Sequence, residues 1–176
     1  EVAVRVQFDG LPLTTLSGIY GYVWNRMPRF HKQLVTLPIL QFEIPVRVDV
    51  TPVAYRRHVA GLTASTAQFE PFIFRAEAAY SSKQAFDLAV DVFPSFTDPT
   101  APEDPEREAR FAEARAAGFL TFRPALDAMI GAERGFGNHL IRVQALGTYI
   151  FDYSDQIATD RFEPAFTAFW NGRFRR

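Results

Sequence analysis

With no cysteine in the sequence, thiolate catalysis, disulfides and cysteine-ligated metals are excluded at the outset. Histidine, serine and carboxylate remain. His31, His58 and His139 have no second histidine or carboxylate at a metal-ligand spacing such as H-E-x-x-H. They read as solvated loop or strand-end side chains. Ser65, Ser81, Ser82 and Ser95 lack the G-x-S-x-G setting of an activated nucleophile and read as turn residues. Asp152, Asp155 and Asp160 do not follow the spacing of a calcium loop, and Asp155 is better explained as a helix cap. Gly135-Phe136-Gly137 lacks the third glycine of a dinucleotide fingerprint and precedes a strand. No cofactor or metal is implied.

One carboxylate pair remains, and it depends on a predicted hairpin. Phe72, Phe74, Ala76, Ala78 and Tyr80 alternate with more polar neighbours, as do Phe86, Leu88, Val90 and Val92. A three-residue loop at Ser81-Ser82-Lys83 pairs Ala78 with Phe86 and Phe74 with Val90, making one face continuously apolar. That register sets Glu77 opposite Asp87 on the other face. Two close carboxylates can split their pKa values and perform acid–base work. A solvated, arginine-salted sheet face is the more ordinary outcome.

Other elements must frame this hairpin. Val2, Val4, Val6 and Phe8 mark a first strand ending at Asp9-Gly10, and residues 11–25 read as a strand with close backbone approaches or an aromatic loop. Residues 26–32 read as loop. A second strand runs through Phe42, Ile44, Val46, Val48 and Val50, with Pro45 forcing an edge or a bulge. Residues 56–68 read as a connecting loop. Residues 97–118 read as a proline-rich linker plus an inserted helix: Asp104 caps it, Pro105 opens it, Glu106 and Arg110 pair on its surface, and Gly118 closes it. A short helix is expected at 124–130. A long strand follows, with Ile141, Val143, Ala145, Tyr149 and Phe151 on one face and Gly147 at a bulge or crowded crossing. Phe162, Phe166 and Phe169 recur at helical spacing, so residues 154–176 are expected to be a helical, aromatic C-terminal tail.

The expected fold is therefore α+β and mostly β, a single domain over 1–176. An antiparallel sheet folds into a sandwich or open barrel, with one inserted helix and the aromatic tail. Net charge is −1, which disfavours nucleic acid even though Arg56-Arg57-His58 and Arg173-Phe174-Arg175-Arg176 interleave bases with aromatics. No apolar run approaches the ~20 residues of a membrane-spanning helix, and a soluble, sheet-built protein is expected, exported or part of an envelope or virion assembly.

The anomaly is 18 Phe against 2 Trp and 2 Met, because phenylalanine brings apolar area with no polar tip and needs a cover. With no catalytic constellation, the leading expectation is a non-catalytic structural or interaction subunit of a larger assembly or oligomer. It would dock other protein chains, or its own copies, through a sheet edge and an aromatic patch of Phe162, Phe166, Phe169, Trp170 and Phe174. The alternative is a β-barrel binding an apolar small molecule among Phe72, Phe74, Tyr80, Phe86, Tyr149 and Phe151, or an enzyme with its site on the Glu77/Asp87 face.

Overall fold

A computed structural model of the chain describes residues 2–25, 28–39, 42–89 and 105–172. The fold is mostly antiparallel β with one α-helix among the described residues. The strands are β1 (Val2–Leu11), β2 (Thr14–Trp24), β3 (Arg29–Ile39), β4 (Phe42–Val53), β5 (Arg56–Thr66), β6 (Phe72–Asp87), β7 (Leu120–Phe136), β8 (His139–Ile150) and β9 (Phe162–Gly172), with α1 (Pro105–Ala116) between β6 and β7. Seven of them form one sheet in the order β1-β2-β5-β6-β7-β8-β9, while β3 and β4 pair only with each other. The main sheet does not close on itself, since β1 and β9 each pair on one side.

Successive strands are joined alternately at the two ends of the sheet, and the ends differ. At one end the connections are short: 12–13, 67–71 and 137–138. At the other they are long: 25–55 carries the β3–β4 hairpin, 88–119 carries α1, and 151–161 joins β8 to β9. The buried side chains gather at this long-loop end, where Phe86, Ala125, Ile150 and Ile157 make one cluster, and Tyr55, Ala114, Phe119 and Leu120 are also buried. Backbone bonds from Ala89 N to Gln156 O and from Ala158 N to Asp87 O lace the connections together there. The rest of the sheet is one layer thick.

Several local expectations change. Residues 81–83 make no hairpin: β6 runs unbroken through them, and a bulge between Ser81 and Gln84 absorbs the extra residue against β7. Phe74 consequently pairs with Thr66 and Ala132, while Val90 and Val92 lie outside the described residues. The segments expected as loop at 56–68 and as helix at 124–130 are strands β5 and β7, and residues 11–25 resolve into β2. Small residues and glycine hid the alternation in these strands. The expected helical tail is strand β9, because pairing with β8 supplies the hydrogen bonds that a docked helix would have made internally.

Other expectations agree. Opposite Pro45 the β3–β4 register shifts by one residue. Helix α1 begins at Pro105 and carries the Glu106–Arg110 pair at 3.4 Å; Asp104 and the linker stretch 97–104 lie outside the described residues. Its end is a Schellman closure, with Phe119 N donating to Ala114 O and Gly118 N to Arg115 O. Gly118 has φ +63°, and a Cβ there would strike the His31 ring. Gly147 marks a crowded crossing, where the Phe162 ring fills the space a Cβ would need.

Candidate functional site

Antiparallel partners share a face, so the register sorts every side chain of the main sheet. One row runs Val4, Tyr20, Ala60, Tyr80, Leu126, Tyr149, Phe162 across all seven strands. The next runs Val6, Gly18, Leu62, Ala78, Ala128, Gly147, Pro164, and the next Phe8, Leu16, Ala64, Ala76, Ile130, Ala145, Phe166. These three rows contain no charged side chain. The intervening rows point the other way and are polar or mixed. One runs Arg5, Ile19, Gly61, Ala79, Asp127, Thr148, Glu163, and another Gln7, Ser17, Thr63, Glu77, Met129, Leu146, Ala165. The sheet therefore has one apolar face and one polar face.

The apolar face is uncovered. Leu62 is 69% exposed, Val6 66%, Ile130 65% and Phe166 81%. Burial of such side chains is worth ~1.5–3 kcal/mol each, so a face of this extent needs a cover. Its aromatic residues are not spread evenly. Tyr20, Tyr22, Trp24, Tyr80, Tyr149 and Phe162 lie toward the long-loop end, and Phe72, Phe74, Phe136 and Trp170 toward the short-turn end, with Phe8 and Phe166 one row from the centre on the short-turn side. Between them the central row is built of small and aliphatic residues. Eight residues at ~3.3 Å separate Phe162 from Trp170, about 26 Å along the strand and about 20 Å along the sheet normal-to-rim direction if strands tilt by ~40°.

The polar face carries ordered charge. Glu133 accepts from Arg142 Nε at 2.7 Å and lies 3.8 Å from Arg75, so one carboxylate is shared by two guanidinium groups. Thr148 donates to Asp127 at 2.7 Å, and Ser17 and Thr63 pair at 2.7 Å. Toward the long-loop end a chamber of about 910 Å³ opens over this face, lined by Val59, Arg57, Gln84 and Asp127 from the sheet and by Arg29, Phe30 and Lys32 from β3.

The anticipated site residues fall as follows. Glu77 sits between Thr63 and Met129, and Asp87 ten residues further along the same strand pairs with Leu120, about 30 Å away at strand spacing. The carboxylates do not meet, because the turn expected to bring them together is a bulge. Asp87 is instead bound by Lys32 at 3.2 Å and Arg29 at 3.6 Å. Phe72, Phe74, Tyr80 and Tyr149 share the apolar face, and Phe151 packs edge-on to Tyr80 and Tyr149. Phe86 stands apart in the buried cluster with Ile150. Phe162, Phe166 and Trp170 lie along one line of the apolar face; Phe169 is on the opposite face beside Arg142. Phe174 lies outside the described residues.

Each histidine lies in a strand. His58 bonds the Tyr20 hydroxyl at 2.8 Å, His139 stacks on Trp170, and His31 lies against Gly118. Among the described residues no three His, Asp or Glu side chains gather as metal ligands would. What sequence reasoning missed is the apolar face as a whole. The signal was present, since residues 60, 62 and 64 alternate with 59, 61, 63 and 65, but Ala, Gly, Ser and Thr gave it little contrast. No protein-family model matches the chain, and no curated protein and no solved structure is significantly similar to it.

Proposed function

We propose that this chain forms part of the wall of a membrane-embedded β-barrel, its apolar face against lipid and its polar face toward an aqueous interior. The observation that carries this reading is the sorting of all seven strands into one apolar face, its middle rows uncharged and aromatic residues toward both ends, and one polar face. Transmembrane strands need ~9–11 residues at a ~45° tilt, and β1 to β9 of the main sheet have 10 to 17. An apolar band ~25 Å tall between two aromatic girdles, with short turns at one end and long loops at the other, is what a bilayer asks of such a wall. No helix among the described residues is long and apolar enough to cross a membrane, and a strand wall needs none.

The role is structural rather than catalytic, and part of the interaction reading is kept. Inside hydrocarbon an unpaired strand edge is prohibitively costly, so the free edges of β1 and β9 must be met by further strands. The aromatic residues Phe162, Phe166 and Trp170 then contact lipid rather than a protein partner.

The two tryptophans, Trp24 and Trp170, lie toward opposite ends of the apolar face, which supplies the test. Trp24→Phe and Trp170→Phe leave one reporter each. In vesicles containing lipids brominated on the acyl chain, each reporter should be quenched, more strongly by bromine near the headgroup than near the chain end. Absence of quenching for both would show that this face is covered by something other than lipid, and a docked protein surface would then be the reading.

A further inference from the structure

Three cations lie along the long-loop rim of the apolar face, each over an aromatic ring. The Arg56 guanidinium is 4.6 Å from the Trp24 ring centroid and 5.7 Å from that of Tyr22. Lys83 Nζ, in the β6 bulge, is 4.4 Å from the Phe122 ring, and the Arg161 guanidinium is 5.2 Å from Tyr149. All three residues are exposed. Among the described residues none of them is within ion-pair distance of a carboxylate, although Asp87, Glu133 and Asp49 all hold arginine or lysine partners.

An aromatic ring engages only the flat face of a guanidinium and leaves its edge N–H donors free. Long basic side chains that lay their stems on apolar surface present their heads where hydrocarbon ends. The register places the three in one band. The β5–β6 pairing ends at Val59–Ser81, two residues short of Lys83 and three short of Arg56, and Arg161 bonds Ile150, whose partner Ala125 pairs with Ser81, so all three lie within three residues of one level. At ~4.8 Å per strand, Arg56 and Lys83 start from adjacent strands, and Arg161 three strands beyond Lys83 is about 14 Å away. Among the described residues the opposite rim has one comparable contact, Arg134 over Phe72 at 5.2 Å.

We infer that the long-loop rim is a binding surface for the phosphate headgroups of anionic lipids, with Arg56 and Lys83 on one headgroup and Arg161 on a second. The inference rests on the barrel-wall reading and adds to it which end of the wall meets the more anionic lipid. Unpaired cations at this depth are complementary to phosphate and gain about fivefold in association per charge near an anionic surface.

The test uses vesicles of phosphatidylcholine with a minor share of phosphatidylglycerol, and lipid retained on the protein after mild detergent extraction. Wild type should retain phosphatidylglycerol enriched tenfold or more over its share. The Arg56→Gln, Lys83→Gln, Arg161→Gln triple variant should lose the enrichment while retaining its sheet by circular dichroism, and Arg134→Gln should keep it. Inorganic phosphate at matched concentration should not displace the lipid; displacement would identify a free-anion site and overturn a headgroup site. Vesicle insertion without enrichment in wild type overturns this inference and leaves the wall intact. Failure of wild type to insert at all overturns the wall, and this inference with it. Should the triple variant fail to fold, the three single variants carry the same comparison, each expected to lose part of the enrichment.

Discussion

Leu62 and Thr63 are neighbours in sequence and face opposite ways. Leu62 lies in the uncharged central row and Thr63 in a polar one. A charge placed mid-bilayer costs ~2–4 kcal/mol, whereas one in the interior of a barrel is solvated. Leu62→Arg should therefore lower folding stability in vesicles by about that amount, and Thr63→Arg should change it by less than ~1 kcal/mol, both read from urea titrations. Equal losses at the two positions would be incompatible with a lipid-facing row. Gly118 supports a second residue-scale prediction. Its φ of +63° and the His31 ring beside it make Gly118→Ala unfavourable by ~1–2 kcal/mol from the backbone alone. The loss should appear as earlier proteolysis within α1, leaving the strands protected. At this scale the separation of Glu77 from Asp87 was not legible in the chain, because Ser81-Ser82-Lys83 has turn composition and a bulge uses the same residues.

At the scale of elements, the legible ones were those with contrast between their faces: β1, β4, β8 and the capped helix α1. Strands β2 and β5 were obscured because Gly18, Gly21, Gly61 and the Ala/Ser/Thr run supply neither a bulky apolar nor a charged alternate. Strand β9 was misassigned for a different reason. Phe162, Phe166 and Trp170 fit a period of two as well as a helical stripe, and only Phe169 distinguishes them, falling on the far face of the strand beside Arg142. The β3–β4 hairpin is held at its base by Lys32 and Arg29 on Asp87, and by Lys32 N donating to Gly118 O at 3.0 Å. The Asp87 side chain is 42% exposed, so these pairs contribute ~1 kcal/mol or less. Asp87→Asn should accordingly speed amide exchange in β3 and β4 without altering exchange in β6 to β8. Slowed or unchanged exchange in the hairpin would show that other contacts anchor it.

At the scale of the molecule, a one-layer sheet with its buried cluster at one end cannot account for its own stability in water. Two packed layers are the usual minimum, and here the second layer is missing over most of the strands. The expectation follows that the strands form cooperatively only when micelles or vesicles are supplied, with the β signal in circular dichroism rising on their addition. A full β signal with sharp cooperative unfolding in detergent-free buffer, at monomer mass, would contradict it. A strand whose successive residues face opposite ways carries no long apolar run, so a wall of this kind would leave none in the sequence. The mean hydropathy of −0.07 averages the two faces and reports neither.

The way β2 passes to β5 has one more consequence. Asn25 N donates to Tyr55 O at 2.8 Å and Asn25 Nδ2 to the Tyr55 hydroxyl at 2.9 Å, directly beyond the Trp24–Arg56 pair. The chain leaves the sheet and returns to the same point, so the β3–β4 hairpin is a cassette clipped into an otherwise plain β2–β5 turn. Exchanging the hairpin between Asn25 and Tyr55 for another of different length should leave the β2–β5 register unchanged, because the clip at its base lies within that connection.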